Sequence, residues 1–277
     1  LALRFQHAHE DVPWSMSHLV SMLVNRHHKE QTVGYTECHD QALVGGQSMA
    51  FALMGAEMYE GMSAHGCRSP RVERGVALHK MTRLLTLSLG GEAYLNFMGN
   101  EFGHPDWIDF PREGNNDSFE YARRRWDLAD NTDLLYSKLQ LFDAAMLEVE
   151  KLGNVLRWGN RDVTHVNDEG KVIVFEVGRM LFCFNFHPSE SYAHYNTGVL
   201  SAGEYKCCLD TDAHEFGGHN RVDPHALVGT WGEWRDGRPN SICLYLPSCS
   251  AQVYQLVNEW DEGTSIHDGY IDENVWY

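Results

Sequence analysis

The hydrophobic pattern of the chain changes its period once, near Val163, and that change limits the fold more than any other feature. Before it, stretches with apolar residues three and four apart alternate with short runs that suit strands. Met16, Leu19, Val20 and Leu23 define one helix face, and Ala77, Met81, Leu84 and Leu85 define another within residues 74–89, which Gly90-Gly91 stops. Residues 32–36 and 93–98 suit short strands, each opening into a polar loop. Residues 121–151 suit two helices broken near Asn131. After the switch only β-rich runs occur, at 171–177, 180–186, 204–209, 241–246 and 251–257, with Gly178-Arg179 marking a hairpin between the first two. Mixed elements followed by strands alone predict two domains meeting near residues 152–165. The expected division is 1–155, 156–257 and an acidic, aromatic tail over 258–277 that shows no period.

The formal charge of −17 opposes binding to nucleic acid or to an anionic membrane surface, both of which reward clustered Lys and Arg. A neutral polymer is indifferent to it. No apolar run reaches the roughly 18–20 residues that a membrane helix requires. The opening Leu1-Ala2-Leu3-Arg4 is neither a start methionine nor a signal peptide, which suggests a chain that begins inside a longer protein. The seven cysteines form no CxxC pair, so a disulfide framework or zinc site is not expected and a reducing compartment is. The 16 histidines show no pair at ligand spacing within a helix, which predicts no metal centre.

The segment richest in chemistry is Tyr35-Thr36-Glu37-Cys38-His39-Asp40-Gln41. It places two carboxylates and an imidazole at the end of a short apolar strand, a set suited to acid–base or sugar-hydroxyl work. The same residues also suit a solvated strand-to-helix turn whose polar groups cap the next helix. Alternation along a continuing strand would put Glu37 on one face with His39 rather than with Asp40.

Residues 35–45, Tyr-x-Glu-x-His-Asp-Gln-Ala-Leu-Val-Gly, resemble the fourth conserved region of branching enzymes in the α-amylase superfamily, glycoside hydrolase family 13. Residues 75–105 are similar to the last helix–strand unit of that barrel, and Asp106 to Arg112, Gly114-Asn115-Asn116 and Tyr121-Ala122-Arg123-Arg124 follow as in the family. Farther on, Phe184 to Ser189 and Gly217-Gly218-His219 resemble its C-terminal β-domain. Thr36 and Cys38 depart from the small residues usual there.

The resemblance implies an α/β part followed by an all-β part, namely the last portion of a (β/α)8 TIM barrel and then an antiparallel β-sandwich. It implies an α-glucan as substrate (glycogen, amylopectin or amylose), no metal or organic cofactor, and a cytoplasmic or plastid-stroma location. It also implies roles. Asp40 is the carboxylate that stabilises the oxocarbenium-like transition state, with His39 donating to hydroxyls of the same sugar. Glu37 is a supporting group of the barrel interior, Asn100 and Glu101 shape the acceptor side, and Trp107, Phe110 and Tyr121 are candidate stacking platforms. The family's nucleophile and acid/base precede the region that matches Asp40, yet neither of their strand patterns occurs among the 39 residues before it. Glu10 and Asp11 fall in a helix connection, and Phe142-Asp143 lies in a helix after the fourth region. The resemblance therefore leaves two readings. In one, the chain is part of a branching enzyme whose remaining acids, an Asp and a Glu, come from an N-terminal half or a partner chain. In the other, it is a non-catalytic glucan-binding or structural subunit derived from one.

Overall fold

The computed structural model describes residues 15–27, 30–43, 46–158 and 161–260. Leu1–Arg4, Glu10, Asp11, Val44 and Gly45 of the fourth-region motif, and residues 261–277 of the expected tail lie outside the described residues.

The first half is mostly helical. Helix α1 (Met16–Val24) begins at Ser15, whose hydroxyl accepts the His18 N–H at 3.0 Å, and buries Met16, Leu19 and Val20 as the spacing predicts. Strand β1 (Val33–Gly34) leads through the polar turn to α2 (Met49–Met54), the short α3 (Met58–Gly61) and the long α4 (Pro70–Leu89). Strand β2 (Ala93–Tyr94) then pairs with β1 in parallel, Val33 opposite Ala93. Parallel neighbours need a long crossover, and α4 supplies it. Helices α5 (Trp126–Asp130) and α6 (Leu135–Gly153) follow, with the break at 131–134 where Asn131 marked it.

Helix α4 is the axis of the molecule. Ser69 caps it, Pro70 occupies its first turn, and Gly90 closes it with a main-chain bond to Thr86. The spacing predicts one apolar face, but nearly every residue from Gly75 to Leu89 is buried, including His79, Lys80 and Arg83, while Ala77 is less so. The physical reason is that protein covers α4 on several sides. Lys80 reaches the main-chain carbonyls of Thr211 and Phe216 in the β half, and Arg83 reaches Asp143 on α6 and the Asn96 side chain. Arg161, in the segment between the halves, donates to Ser88 and Gly91 carbonyls at the C-terminal end of α4.

The second half is an antiparallel sheet of eight strands among the described residues. These are β3 (Asp162–Asn167), β4 (Val172–Val177), β5 (Met180–Asn185), β6 (Tyr192–Val199), β7 (Gly203–Asp210), β8 (Leu227–Trp231), β9 (Asn240–Leu246) and β10 (Ser250–Glu259). Their spatial order is β3-β4-β5-β10-β7-β8-β9-β6. The two ends of that order meet, because His165 on β3 bonds the Tyr195 hydroxyl on β6 at 2.7 Å, so the sheet folds over on itself. A core of Val172, Val174, Leu181, Cys183, Ile242, Leu244 and Tyr254 lies inside the fold. The opposite faces of β4 and β5 carry Ile173, Phe175, Phe182 and Phe184 into the core shared with the helices. Burial on both faces explains why these two strands read as unbroken apolar runs. Gly178 turns between them in the left-handed region at φ 58°, as the hairpin signal requires.

Strands β3 and β6 are not visible as apolar runs, because each is largely polar and partly exposed, and β8 (Leu-Val-Gly-Thr-Trp) is only five residues long and interrupted by Gly229. Among the described residues, no helix is long and apolar enough to cross a membrane.

Candidate active site

Strand β1 is shorter than residues 32–36 suggested. It stops at Gly34 because its pairing with β2 ends at Tyr94, and residues 35–40 continue as bends and turns. Strand alternation therefore does not govern the motif, and the expected sharing of a face by Glu37 and His39 is corrected. Glu37 is buried, at 4% exposure, whereas His39 and Asp40 are exposed.

The Glu37 carboxylate turns inward and accepts the main-chain N–H of Met49 at 2.5 Å, at the first residue of α2. A carboxylate suits that place, where the orphan donors and positive end of a helix gather. Burial lifts its carboxyl to about 7, against the opposing pull of the Met49 N–H and the Arg124 and Arg83 charges. Beside it, the Asn100 amide donates to the Glu37 carbonyl at 3.2 Å. Glu101 accepts the Gly99 N–H at 2.7 Å within the same loop after β2. That loop is a single turn of 3-10 helix held between Gly99 (φ 102°) and Gly103 (φ 71°), positions where a side chain would be strained.

His39 and Asp40 form the exposed rim. A His39 ring nitrogen lies 2.9 Å from an Asp40 carboxylate oxygen, and the His39 ring leans toward Phe97 at a centroid distance of 6.2 Å. The Cys38 N–H donates to the Gln41 side chain at 2.8 Å, which fixes the turn that presents them. The Cys38 thiol, a His39 ring nitrogen and an Asp40 oxygen lie within 4.8 Å of one another, as three consecutive residues on one turn readily do.

Trp107 stands apart from this pair. The Ile108 N–H donates to the Ala42 carbonyl, which brings the segment carrying Trp107 alongside the one that follows Asp40. Trp107 packs edge-to-face on Tyr121 (5.5 Å, 89°), and both line a cavity of about 320 Å³ with Phe51, Tyr59 and Asp106. Phe110 is exposed as well.

Two residues carried only within the motifs organise the site from below. Arg124 donates to His104 Nδ1 at 3.0 Å and to the Tyr121 carbonyl at 3.0 Å. His104 Nδ1 also accepts the Asp106 N–H, so the ring is neutral with its proton on Nε2. Burial, then the Arg124 charge, lowers His104 to about 4. Tyr59 donates its hydroxyl to Asp106 at 3.1 Å; burial and that carboxylate push it up to about 12. In the sequence, His104 and Arg124 are visible only as members of the family-like segments 75–105 and 121–124, and nothing there marks the contact between them.

The geometry thus offers an exposed His–Asp pair for hydroxyl groups, a sealed support beneath it and, apart from the pair, a cavity walled by Trp107 and Tyr121. Known proteins with similar sequences share this chain's pattern closely. It is 51% identical over 88% of its length to the 1,4-α-glucan-branching enzyme of Candida glabrata, and 45% identical over 90% to the chloroplastic/amyloplastic one of Oryza sativa subsp. japonica. This chain is a homologue of the 1,4-α-glucan branching enzymes. The homologue spans about a third of the length of the curated relatives it matches, 35% and 32% for those two. Its residues 163–257 match the alpha amylase C-terminal all-beta domain. Among solved structures, a cyclomaltodextrin glucanotransferase with a three-domain ABC distribution superposes with a TM-score of 0.52 at 14% identity, over 93% of this homologue and 44% of that chain. The likeness shows the fold: a partly α/β, mostly helical first part and an antiparallel all-β second part of α-amylase type.

Proposed function

We propose that this chain is the portion of a 1,4-α-glucan branching enzyme that presents the transition-state-stabilising carboxylate, Asp40. The enzyme cleaves an α-1,4 glucan chain and transfers it to a 6-hydroxyl, forming an α-1,6 branch. In the first step an acid protonates the leaving O4 while a carboxylate attacks C1, giving a covalent glycosyl ester with inversion. In the second, the same group, now a base, takes the proton of the acceptor O6, which attacks C1 and releases the carboxylate. Those two carboxylates stand about 5–5.5 Å apart in a retaining site. They come from polypeptide beyond this chain, either the preceding part of the same protein or a partner, seated against the open side of β1 and β2.

Asp40 and His39 bind hydroxyls of the sugar at the cleavage point. Hydrogen bonds there strengthen as the ring flattens and positive charge develops, so they lower the barrier rather than merely tighten binding. Glu37 and Asn100 hold the turn in place. Glu101 shapes the neighbouring loop, and Trp107 offers a ring face to a pyranose along the acceptor side. The last portion of a (β/α)8 barrel accounts for the parallel β1–β2 pair and its helical crossover. The proposed domain limits are 1–155 and 156–257, with 258–277 as a tail, and the compartment is cytoplasm or plastid stroma.

The single observation carrying this reading is the exposure of the mutually bonded His39–Asp40 pair, which the buried Cys38 thiol touches at Asp40 Oδ2 (3.7 Å), above a Glu37–Asn100 support that is almost fully enclosed. Exposed charged groups are ordinary on a turn; what supports the reading is that the buried Glu37–Asn100 brace fixes the turn that presents this pair. The test is Asp40→Asn in the complete natural protein, assayed by the loss of iodine staining of amylose and by counting α-1,6 linkages. A fall of at least 1000-fold in kcat with unchanged melting supports the reading. Retained branching would end it, as would a wild-type protein that binds glucan and never branches it.

A further inference from the structure

A cavity of about 380 Å³ lies at the seam between the halves, away from Asp40. It is lined on one side by Arg68, Arg74 and Lys80 and on the other by Arg221 and the Gly217-Gly218-His219 string, whose resemblance to the family carries no role in the proposed reaction. Four cations around one cavity stand out in a chain of formal charge −17. Two carboxylates, Glu73 and Asp212, oppose them.

The carboxylates are not equivalent. Asp212 is consumed within the wall, accepting Arg221 Nε at 2.7 Å and the His219 N–H at 3.1 Å. Arg221 spends its other nitrogens on Ser248, and Lys80 is held by two main-chain carbonyls. Arg74 is different. It makes no hydrogen bond or ion pair among the described residues, and its half-buried guanidinium has an enclosed Nε without a partner. Arg68 gives one nitrogen to the Gly217 carbonyl at 2.9 Å, and its Nε is likewise enclosed and unpartnered. Unmet donors on two half-buried guanidinium groups are costly unless an acceptor completes them. A planar fork of donors matches a tetrahedral oxyanion better than a neutral hydroxyl. The wall also has an apolar part, from Pro70, Val76, Ala77 and Pro188, against which a compact organic group can rest.

We propose that this seam cavity is a binding site for a phosphate monoester of about hexose size, anchored by Arg74 and Arg68. The volume exceeds a bare phosphate, and the ligand bridges α4 and the β half. This site does not depend on the reaction assigned to Asp40, and its test does not read activity.

The experiment is titration calorimetry of the complete natural protein, at fixed ionic strength, with glucose 6-phosphate, inorganic phosphate and glucose. We expect saturable binding of the phosphate-bearing probes and none of glucose, with the tighter phosphate probe identifying whether the ester or the free anion is the natural source. Arg74→Gln weakens binding at least tenfold, and Arg74→Lys recovers part of the loss. Glu73→Gln, which removes the unpaired carboxylate, tightens binding several-fold, and it reads the same wall if Arg74→Gln does not fold. Absence of saturable binding overturns the site. So does a folded Arg74→Gln protein within twofold of wild type, or a Glu73→Gln protein with unchanged affinity.

Discussion

The Asn100 side-chain amide donates to the Glu37 main-chain carbonyl across 3.2 Å, tying the loop after β2 to the turn that bears His39 and Asp40. Both residues are almost fully enclosed. The bond is therefore a brace between two loops that strand pairing alone leaves free beyond Gly34 and Tyr94.

Asn100→Ala removes that brace and strands a buried carbonyl. We expect a loss of about 1–3 kcal/mol in urea denaturation. If Asp40 acts as proposed, the brace positions its turn, and Asn100→Ala in the complete natural protein lowers branching kcat at least tenfold while KM changes little. A stability loss with kcat intact would confine Asn100 to a structural part.

Glu37 gives a pH signature. Its carboxyl sits at about 7 when folded against an ordinary 4.5, so between those values the folded state holds the proton better than the unfolded chain. Stability from this group is complete below the lower value and is withdrawn as pH climbs through 7. Neighbouring His104, lowered to about 4, acts in the opposite sense over about 4 to 6.5. The difference between wild type and Glu37→Gln isolates the first effect. Relative to wild type, the variant gains about 2–3 kcal/mol between pH 5 and pH 8. Parallel curves for the two proteins would refute the assignment.

Arg83 is wholly enclosed, with Asp143 as its ionic partner. Asp143→Ala leaves a buried charge uncompensated, which we expect to cost about 3–5 kcal/mol, visible as a lower denaturation midpoint. Arg83→Met combined with Asp143→Leu restores much of that loss, because an apolar pair of similar volume replaces the buried ions. Equal destabilisation of single and double variants would contradict this.

Trp107→Ala takes away a ring held edge-on by Tyr121. Aromatic contacts of this kind contribute about 0.5–1.5 kcal/mol. On the function proposed for the complete natural protein, the expected result is a several-fold higher KM for amylose, with kcat for chain transfer within threefold. An unchanged KM would assign Trp107 to packing.

How much of this was legible in residues alone depends on where each side chain ends up. Strands β4 and β5 could be read because Ile173, Phe175, Phe182 and Phe184 fill one core and Val172, Val174, Leu181 and Cys183 fill the other. Strand β3, Asp-Val-Thr-His-Val-Asn, could not, since it is held by pairing to β4 and by the His165 bonds to Tyr195 and Asp236, which are contacts across the fold. Likewise His39 and Asp40 stood out through their motif. The Arg124–His104 contact spans 20 positions and has no local signature. Alternation past Gly34 misplaces His39 on the buried face of Glu37, because no third strand continues the pairing there among the described residues.

The last strand of the sheet, β10, lies between β5 and β7 and bonds to both. A ribosome emitting this chain therefore delivers β5 and β7 with raw edges, and neither can find its neighbour until residues 250–259 have cleared the exit tunnel. A premature stop just ahead of Ser250 would part β3-β4-β5 from β7-β8-β9-β6 rather than trim the sheet, leaving two open flanks for foreign strands to occupy.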